Sequence, residues 1–138
     1  MQQRDEPQTF RARELGVSLT VKDLEKSLQW YCDVVGFVID RKIERDGKLL
    51  GAALKAGGVR ILINQDDGAK GWDRKKGEGV SFQFTTTQNV DDLEDRIEAM
   101  GGGSDIERPP TDMPWGVRAM VVRDPDHYRL VFSQPKDS

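Results

Sequence analysis

The segments GVSLTV (Gly16–Val21) and GVSFQF (Gly79–Phe84) share their first three residues and the same alternation of side chains. The second segment begins 63 positions after the first. Alternation of apolar and polar residues with a period of two predicts a β-strand with one buried face. A chain that contains the same strand twice is expected to contain a duplicated module.

Two further pairs of segments repeat in the same order. VRILINQ (Val59–Gln65) matches YRLVFSQ (Tyr128–Gln134) 69 positions later, and the Asp-Leu-Glu triplet at 23–25 recurs at 92–94. Three matches in the same order predict a tandem duplication rather than a chance similarity.

Each module is predicted to contain one strand, one helix and three further strands. The helices are predicted from apolar residues at helical spacing, with a capping residue before the first helix and a glycine after it. These residues are Asp23, Leu24, Leu28, Tyr31, Val35 and Gly36 in the first module, and Val90, Leu93, Ile97 and Met100 in the second. The predicted fold class is α+β: two βαβββ modules forming a curved, mostly antiparallel eight-stranded sheet with helices on its convex side.

The predicted organisation is a flexible N-terminal arm (1–13), a first module (14–65), a linker (66–78), a second module (79–134) and a tail (135–138). The formal net charge is −3 with no basic stripe, which argues against a nucleic-acid partner. No apolar stretch reaches the roughly 20 residues of a membrane span. The polar N-terminus lacks the apolar core of a signal peptide, and Cys32 is the only cysteine, so we expect a cytoplasmic protein without disulfides.

The alternation also predicts which side chains point away from the helices. That face combines small, polar and apolar residues, and a curved sheet with such a face is a candidate ligand cavity. The alternative is an antiparallel sheet that simply faces solvent. The polar members of the face are Arg129, Ser133 and six residues that we take as candidate ligand-binding residues: Ser18, Thr20, Arg60, Asn64, Ser81 and Gln83.

Two segments resemble motifs of a known superfamily. VKDLEKSLQWYCDVVGF (21–37) is similar to V-x-D-L-x-x-S-x-x-[FW]-Y-x-x-x-x-G-F, and DPDHYRLVF (124–132) is similar to D-P-D-G-x-x-[LI]-E. Both are motifs of the vicinal oxygen chelate superfamily, which includes glyoxalases, extradiol dioxygenases, fosfomycin-resistance enzymes and bleomycin-resistance proteins. The resemblance covers about Leu15 to Gln134 and implies the fold predicted above.

Metal-dependent members of this superfamily hold a divalent ion with His or Glu side chains at four positions, two in each module. By resemblance these positions are Gly16, Leu62, Gly79 and Val131 here. None has a side-chain donor atom, so we expect no metal and no cofactor. The only histidine, His127, stands where the family has a turn glycine, and we expect a left-handed turn residue outside the cavity.

The PWGVR stretch (114–118) is similar to the corresponding stretch of bleomycin-resistance proteins, in which two subunits pair and bind drug in grooves between them. The resemblance implies a metal-free homodimer that sequesters an antibiotic or another planar or cationic compound. Trp115 would line the groove, since an aromatic face can stack on a flat ligand. Further candidates, beside the six polar residues above, are Trp72, Met113 and Met120.

Two other functions remain open at this point. The first is a lyase, isomerase or oxygenase of the same fold that uses displaced metal ligands or none. Acid–base chemistry would then need a carboxylate in the cavity, and Glu44, Glu107 or Asp112 could reach it from neighbouring strands. The second is an interaction module whose cavity is filled by side chains. The sequence also leaves open whether the modules pair within one chain or between two chains.

Overall fold

A computed structural model describes residues 10–136 of the chain. The predicted arm (1–13) and tail (135–138) lie partly outside the described residues. The first module contains β1 (Val17–Val21), α1 (Leu24–Gln29), a π-helix that continues it (Trp30–Val35), β2 (Val38–Arg45), β3 (Lys48–Ala56) and β4 (Val59–Gln65). The second contains β5 (Ser81–Thr85), α2 (Val90–Ala99), a 3₁₀ turn (Gly103–Asp105), β6 (Ile106–Asp112), β7 (Val117–Arg123) and β8 (Arg129–Pro135).

Each module forms its own four-stranded sheet. The strand orders are β1-β4-β3-β2 and β5-β8-β7-β6, and in each sheet the first pair is parallel while the other two pairs are antiparallel. The prediction of an α+β fold with two βαβββ modules is confirmed. The eight strands divide into two sheets, because β1 and β5 each stand at the edge of their own sheet.

The helices begin and end where the sequence indicates. The Asp23 carboxylate caps α1 by accepting the Lys26 backbone N–H at 3.2 Å, and Gly36, in the left-handed conformation with φ 112°, ends the helical segment. Asn89 caps α2 through the backbone N–H of Asp91 at 2.8 Å. No helix among residues 10–136 is long and apolar enough to cross a membrane.

One hydrophobic core joins the two modules. The helix-facing residues of the first sheet, such as Leu19 and Ile63, belong to the same cluster as Leu130 and Phe132 of the second sheet. Tyr31 is fully buried within it. Because the helix sides of both sheets meet in this core, the opposite face of each sheet lies outside it. We call these two surfaces the open faces.

Hydrogen bonds between the modules accompany this packing. The Tyr31 hydroxyl donates to Asp124 Oδ2 at 2.6 Å, and the Lys22 backbone N–H donates to Asp126 Oδ1 at 2.9 Å. Arg96 of α2 donates to the Asp33 carbonyl oxygen, at 3.1 Å, near the end of the first helical segment. The modules therefore contact each other within one chain through their helices and the β7–β8 turn.

Candidate functional site

The open face of the first sheet carries small and polar side chains, as the alternation predicts. Asn64 Nδ2 donates to Ser18 Oγ at 2.8 Å, and Leu62 lies opposite Ser18 in the register of β1 and β4. Thr20 is half-buried on the same face. Arg60 lies apart from this group, because it is 70% exposed at the start of β4 and faces Asp40 at 3.5 Å.

The open face of the second sheet is partly filled by its own side chains. Gln83 Nε2 donates to Ser81 Oγ at 2.7 Å along β5. The middle of the face is a small buried cluster of Ala119, Val121 and Val131, against which Met113 packs. This face is therefore more apolar than the first, and only its β5 edge carries the predicted polar side chains.

Met120 does not lie on an open face, contrary to its selection as a ligand-binding candidate. It pairs with Phe132 on the helix side of the second sheet and is fully buried in the shared core. The physical reason is the strand alternation, since its neighbours Ala119 and Val121 point to the open face. Burial in the shared core makes Met120 a packing residue.

The four positions to which the resemblance assigns metal ligands do not fit a divalent ion here. Leu62 and Val131 lie on the open faces and have hydrocarbon side chains. Gly16 and Gly79 precede β1 and β5. Gly79 has φ 72°, so a histidine would be strained at that position even if one were introduced. Without an oxygen, nitrogen or sulfur donor, this set cannot coordinate a metal through its side chains.

One group of three carboxylates occurs elsewhere in the described part of the chain. Glu94, Asp95 and Glu98 of α2 place oxygen atoms within 4.8 Å of one another. Partial burial, followed by the charge of Glu98, raises the pKa of Glu94. Asp95 and Glu98 are exposed, and the group lies on a helix away from both open faces. These three carboxylates therefore form a solvated acidic surface.

A groove of about 1000 Å³ runs between the linker and the β7–β8 turn. Of the predicted candidates it brings together Trp72 and Ser81. Its wall carries seven lysine or arginine side chains and three carboxylates, whereas the whole chain has a net charge of −3. The basic members are Lys22, Lys26, Arg74, Lys75, Lys76, Arg123 and Arg129, and the acidic members are Asp73, Glu78 and Asp126.

Two arginines at this groove share one carboxylate. Arg123 Nε donates to Glu107 Oε1 at 2.5 Å, and Arg129 Nε lies 3.7 Å from Glu107 Oε2. The hydrogen bond from Arg123 holds the pKa of Glu107 below its usual range, and Arg129 adds to this effect. A register shift in β6 between Ile106 and Arg108 accompanies the contact, since a bulge redirects the side chains beside it.

The linker is held in place by a buried ion pair. Lys76 Nζ lies 3.0 Å from Asp66 Oδ2, and both side chains are almost completely buried. Arg74 Nε lies 3.4 Å from the same oxygen atom. The backbone N–H of Gly68, then Lys76, lowers the pKa of Asp66 to about 2, so this carboxylate is ionised at neutral pH.

Glycines bring the linker close to its neighbours. An added Cβ at Gly68 would lie 2.5 Å from the Trp72 ring, so the indole packs directly on the backbone there. A Cβ at Gly77 would lie 2.9 Å from the His127 carbonyl oxygen. His127 is left-handed with φ 71°, as predicted, but it lines the groove rather than lying outside any cavity.

Trp115 does not lie with Trp72. It is 69% exposed in the β6–β7 turn, which stands at the opposite end of β7 from the β7–β8 turn that lines the groove. Arg123 and Lys26 were not predicted from the sequence as binding residues, and Glu107 was predicted only as a carboxylate that could reach the cavity. The alternation placed Arg129 on the open face, but nothing in the sequence showed that β6 would bring Glu107 against it.

Comparison with known proteins identifies the family. A family model described as the Glyoxalase/Bleomycin resistance protein/Dioxygenase superfamily matches residues 15–132. The chain belongs to this superfamily. The match includes both modules and the linker, so the superfamily fold extends over both open faces and the groove.

Two proteins and one solved structure are among those similar to this chain. A probable lactoylglutathione lyase from Synechocystis sp. is 27% identical over 126 residues, which cover 87% of this chain and 93% of that protein. A catechol-2,3-dioxygenase from Bacillus subtilis is 44% identical over 45 residues, and the matched part spans 14% of its length. The crystal structure of TioX from Micromonospora sp. ML1 superposes with a TM-score of 0.72 at 24% identity, covering 90% of this chain and 99% of that one.

Proposed function

We propose that this superfamily member is a metal-free protein that binds and sequesters a small molecule, as bleomycin-resistance proteins do. The observation that carries the proposal is the chemistry of the four metal-ligand positions. Gly16, Leu62, Gly79 and Val131 have no donor atoms, and the first open face around Gly16 and Leu62 carries small and polar side chains instead. Such a surface suits hydrogen bonding to an organic ligand.

We further propose that two copies of the chain form the ligand cleft. The shared core separates the two open faces of one chain. A cleft that has the first open face as one wall and the second open face as the other therefore requires a second copy of the chain. Trp115 is 69% exposed beside the second sheet, and a large exposed aromatic side chain is typical of an interaction or ligand-binding surface.

Catalysis is the second candidate, because one relative is named a probable lactoylglutathione lyase. Glu107, the carboxylate that contacts Arg123 and Arg129 beside the groove, could act as a base in such a reaction. However, Arg123 and Arg129 lower its pKa, and a general base works best when its pKa lies near the operating pH. The contacts of Glu107 therefore favour a role as an ion-pair partner.

Metal analysis of the purified protein tests the first part of the proposal. The measurement is elemental analysis together with equilibrium dialysis against Zn²⁺, Ni²⁺, Mn²⁺ and Fe²⁺. We expect no stoichiometric ion, because the four positions lack donors. One tightly held ion per chain or per dimer would contradict the metal-free proposal and favour an enzyme.

A thermal-shift screen of planar and cationic antibiotics tests the second part. We expect a concentration-dependent rise in the Tm with at least one compound, because a ligand that binds only the folded state stabilises it. The variant Trp115→Ala should lose most of this rise if the indole contacts the ligand.

The matched control is Met100→Ala, which removes another exposed apolar side chain, 50% exposed, at the end of α2. Met100→Ala should keep the ligand-dependent rise. Equal losses in both variants would contradict a ligand contact by Trp115.

A further inference from the structure

We infer that the groove between the linker and the β7–β8 turn binds an anionic aromatic small molecule. This inference rests on the proposed small-molecule-binding function, but it assigns a site within one chain, apart from the proposed cleft between two copies, and it names the chemical class that this site binds. The expectation of a planar or cationic compound followed from the resemblance to bleomycin-resistance proteins, whereas the groove favours an anion. The reasons lie in the charges, the pairing and the aromatic surface of the groove.

The positive charge of the groove is not cancelled by its ion pairs. Glu107 contacts both Arg123 and Arg129, and Asp66 contacts both Arg74 and Lys76. Each carboxylate therefore neutralises one of its two partners, and each cluster retains one positive charge. A local excess of two charges attracts an anion even though the whole chain is acidic.

Lysine side chains at the rim can rearrange to meet a ligand. Lys22 contacts Asp73 at 3.0 Å, but their side chains are 57% and 93% exposed, so this pair is weak. Lys26 projects from α1 into the groove wall and has no ion-pair partner among residues 10–136. Both amines can therefore turn toward an anionic group at little cost.

Trp72 supplies the aromatic part of the recognition. Its side chain is 51% exposed at the groove, while Gly68 supports the indole from behind. A supported, half-exposed indole presents a fixed surface on which a planar ring can stack. Cationic side chains beside an aromatic surface select a planar molecule that carries acidic groups.

The test uses isothermal titration calorimetry with naphthalene-2,6-disulfonate as the probe. The neutral naphthalene-2,6-dimethanol and the cationic dye proflavine serve as planar comparison ligands. We expect the disulfonate to bind at least about tenfold more tightly than either, because only it can form charge-assisted hydrogen bonds with the groove. Its affinity should also fall when the salt concentration rises.

Variants locate the binding site. Lys26→Gln and Arg129→Gln should each weaken disulfonate binding about tenfold, in line with the loss of a hydrogen bond to a charged group. The control Lys48→Gln removes an exposed lysine from the β2–β3 hairpin and should not change the affinity. Lys26 is exposed, so its variant folds normally even if Arg129→Gln does not.

The outcomes separate this inference from the proposed function. If proflavine or the diol binds and the disulfonate does not, the protein remains a small-molecule binder and the anionic class is wrong. If the disulfonate binds equally to the wild type and to both groove variants, the groove is not its site. If none of the three planar compounds binds and the antibiotic screen is also negative, the proposed function fails together with the inference.

Discussion

Asp124 shows how one residue of the second module depends on the first. Its carboxylate accepts the Tyr31 hydroxyl across the module boundary and the backbone N–H groups of Asp126 and Tyr128 within its own turn. Burial, opposed by these hydrogen bonds, raises the pKa of Asp124 to about 6. The turn therefore holds a carboxylate that takes up a proton close to neutral pH.

The raised pKa predicts a stability change with pH. Because the folded pKa lies above the ordinary value of 3.8, the stabilising effect is complete in acid and is lost as the pH rises through about 6. We expect the free energy of unfolding to fall by roughly 2 kcal/mol between about pH 4 and pH 7. Urea denaturation across this range measures the change.

Asp124→Asn tests the assignment, because an amide keeps the acceptor oxygen but cannot ionise. This variant should show little of the change in unfolding free energy between acid and neutral pH. Asp46→Asn, in the exposed β2–β3 turn, removes one negative charge without touching the boundary between the modules. If the free energy of unfolding of Asp124→Asn changed with pH as it does in the wild type, another group would cause the pH dependence.

At the scale of elements, the linker packs against both modules and is not a free loop between them. The buried contact between Lys76 and Asp66 attaches it to the end of the first module. Gly77 attaches it to the β7–β8 turn of the second module, because only a residue without Cβ can approach the His127 carbonyl oxygen so closely. One wall of the groove thus depends on two contacts of the linker.

Gly77→Ala tests this packing of the linker against the β7–β8 turn. The substitution adds the cost of a left-handed alanine, since φ is 77°, and a Cβ that lies 2.9 Å from backbone atoms. We expect the free energy of unfolding to fall by about 3 kcal/mol, the sum of backbone strain and overpacking. Equilibrium denaturation in urea measures this loss.

Gly79→Ala is the matched control for Gly77→Ala. Gly79 has a similar φ of 72°, but an added Cβ there meets nothing within 4 Å. The Gly79→Ala substitution should therefore lower the free energy of unfolding by only about 1 kcal/mol, from backbone strain alone. Equal losses in the two variants would mean that the linker does not press on the β7–β8 turn.

At the scale of the whole molecule, the question is what covers the open face of the first sheet. We expect the protein to sediment with twice the 15.6 kDa mass of one chain. Leu62→Arg, which places a charge in the middle of that face, should weaken the dimer at least about tenfold, because burying an unpaired charge is costly. Analytical ultracentrifugation over a range of concentrations measures both values.

Val59→Arg provides the comparison for Leu62→Arg. Val59 stands on the same strand but pairs with Ala56, on the helix side, and is 37% exposed. This variant should retain the association of the wild type. A wild type that sediments as a single chain at high concentration would contradict the proposed dimer.

The alternation and the repeat, read along the chain, correctly predicted the two modules, both helices and the faces of β1, β4 and β8. The same reading did not predict the groove. Lys26, Trp72 and Arg129 are separated by dozens of residues, and no local pattern indicates that the linker, α1 and the β7–β8 turn meet at one place. Met120 was misplaced because the alternation of β7 was not used to decide its face.

The sequence by itself determined the duplicated α+β modules and the absence of donor atoms at Gly16, Leu62, Gly79 and Val131, because residue type and local periodicity are written in the chain. Only the tertiary structure decided that the helix sides of both modules share one core, which places the open faces outside it. It also decided that Glu107 contacts two arginines and that the linker forms a wall of the groove. Those features depend on packing between residues far apart in sequence, where the contact free energy of the whole fold outweighs any local preference.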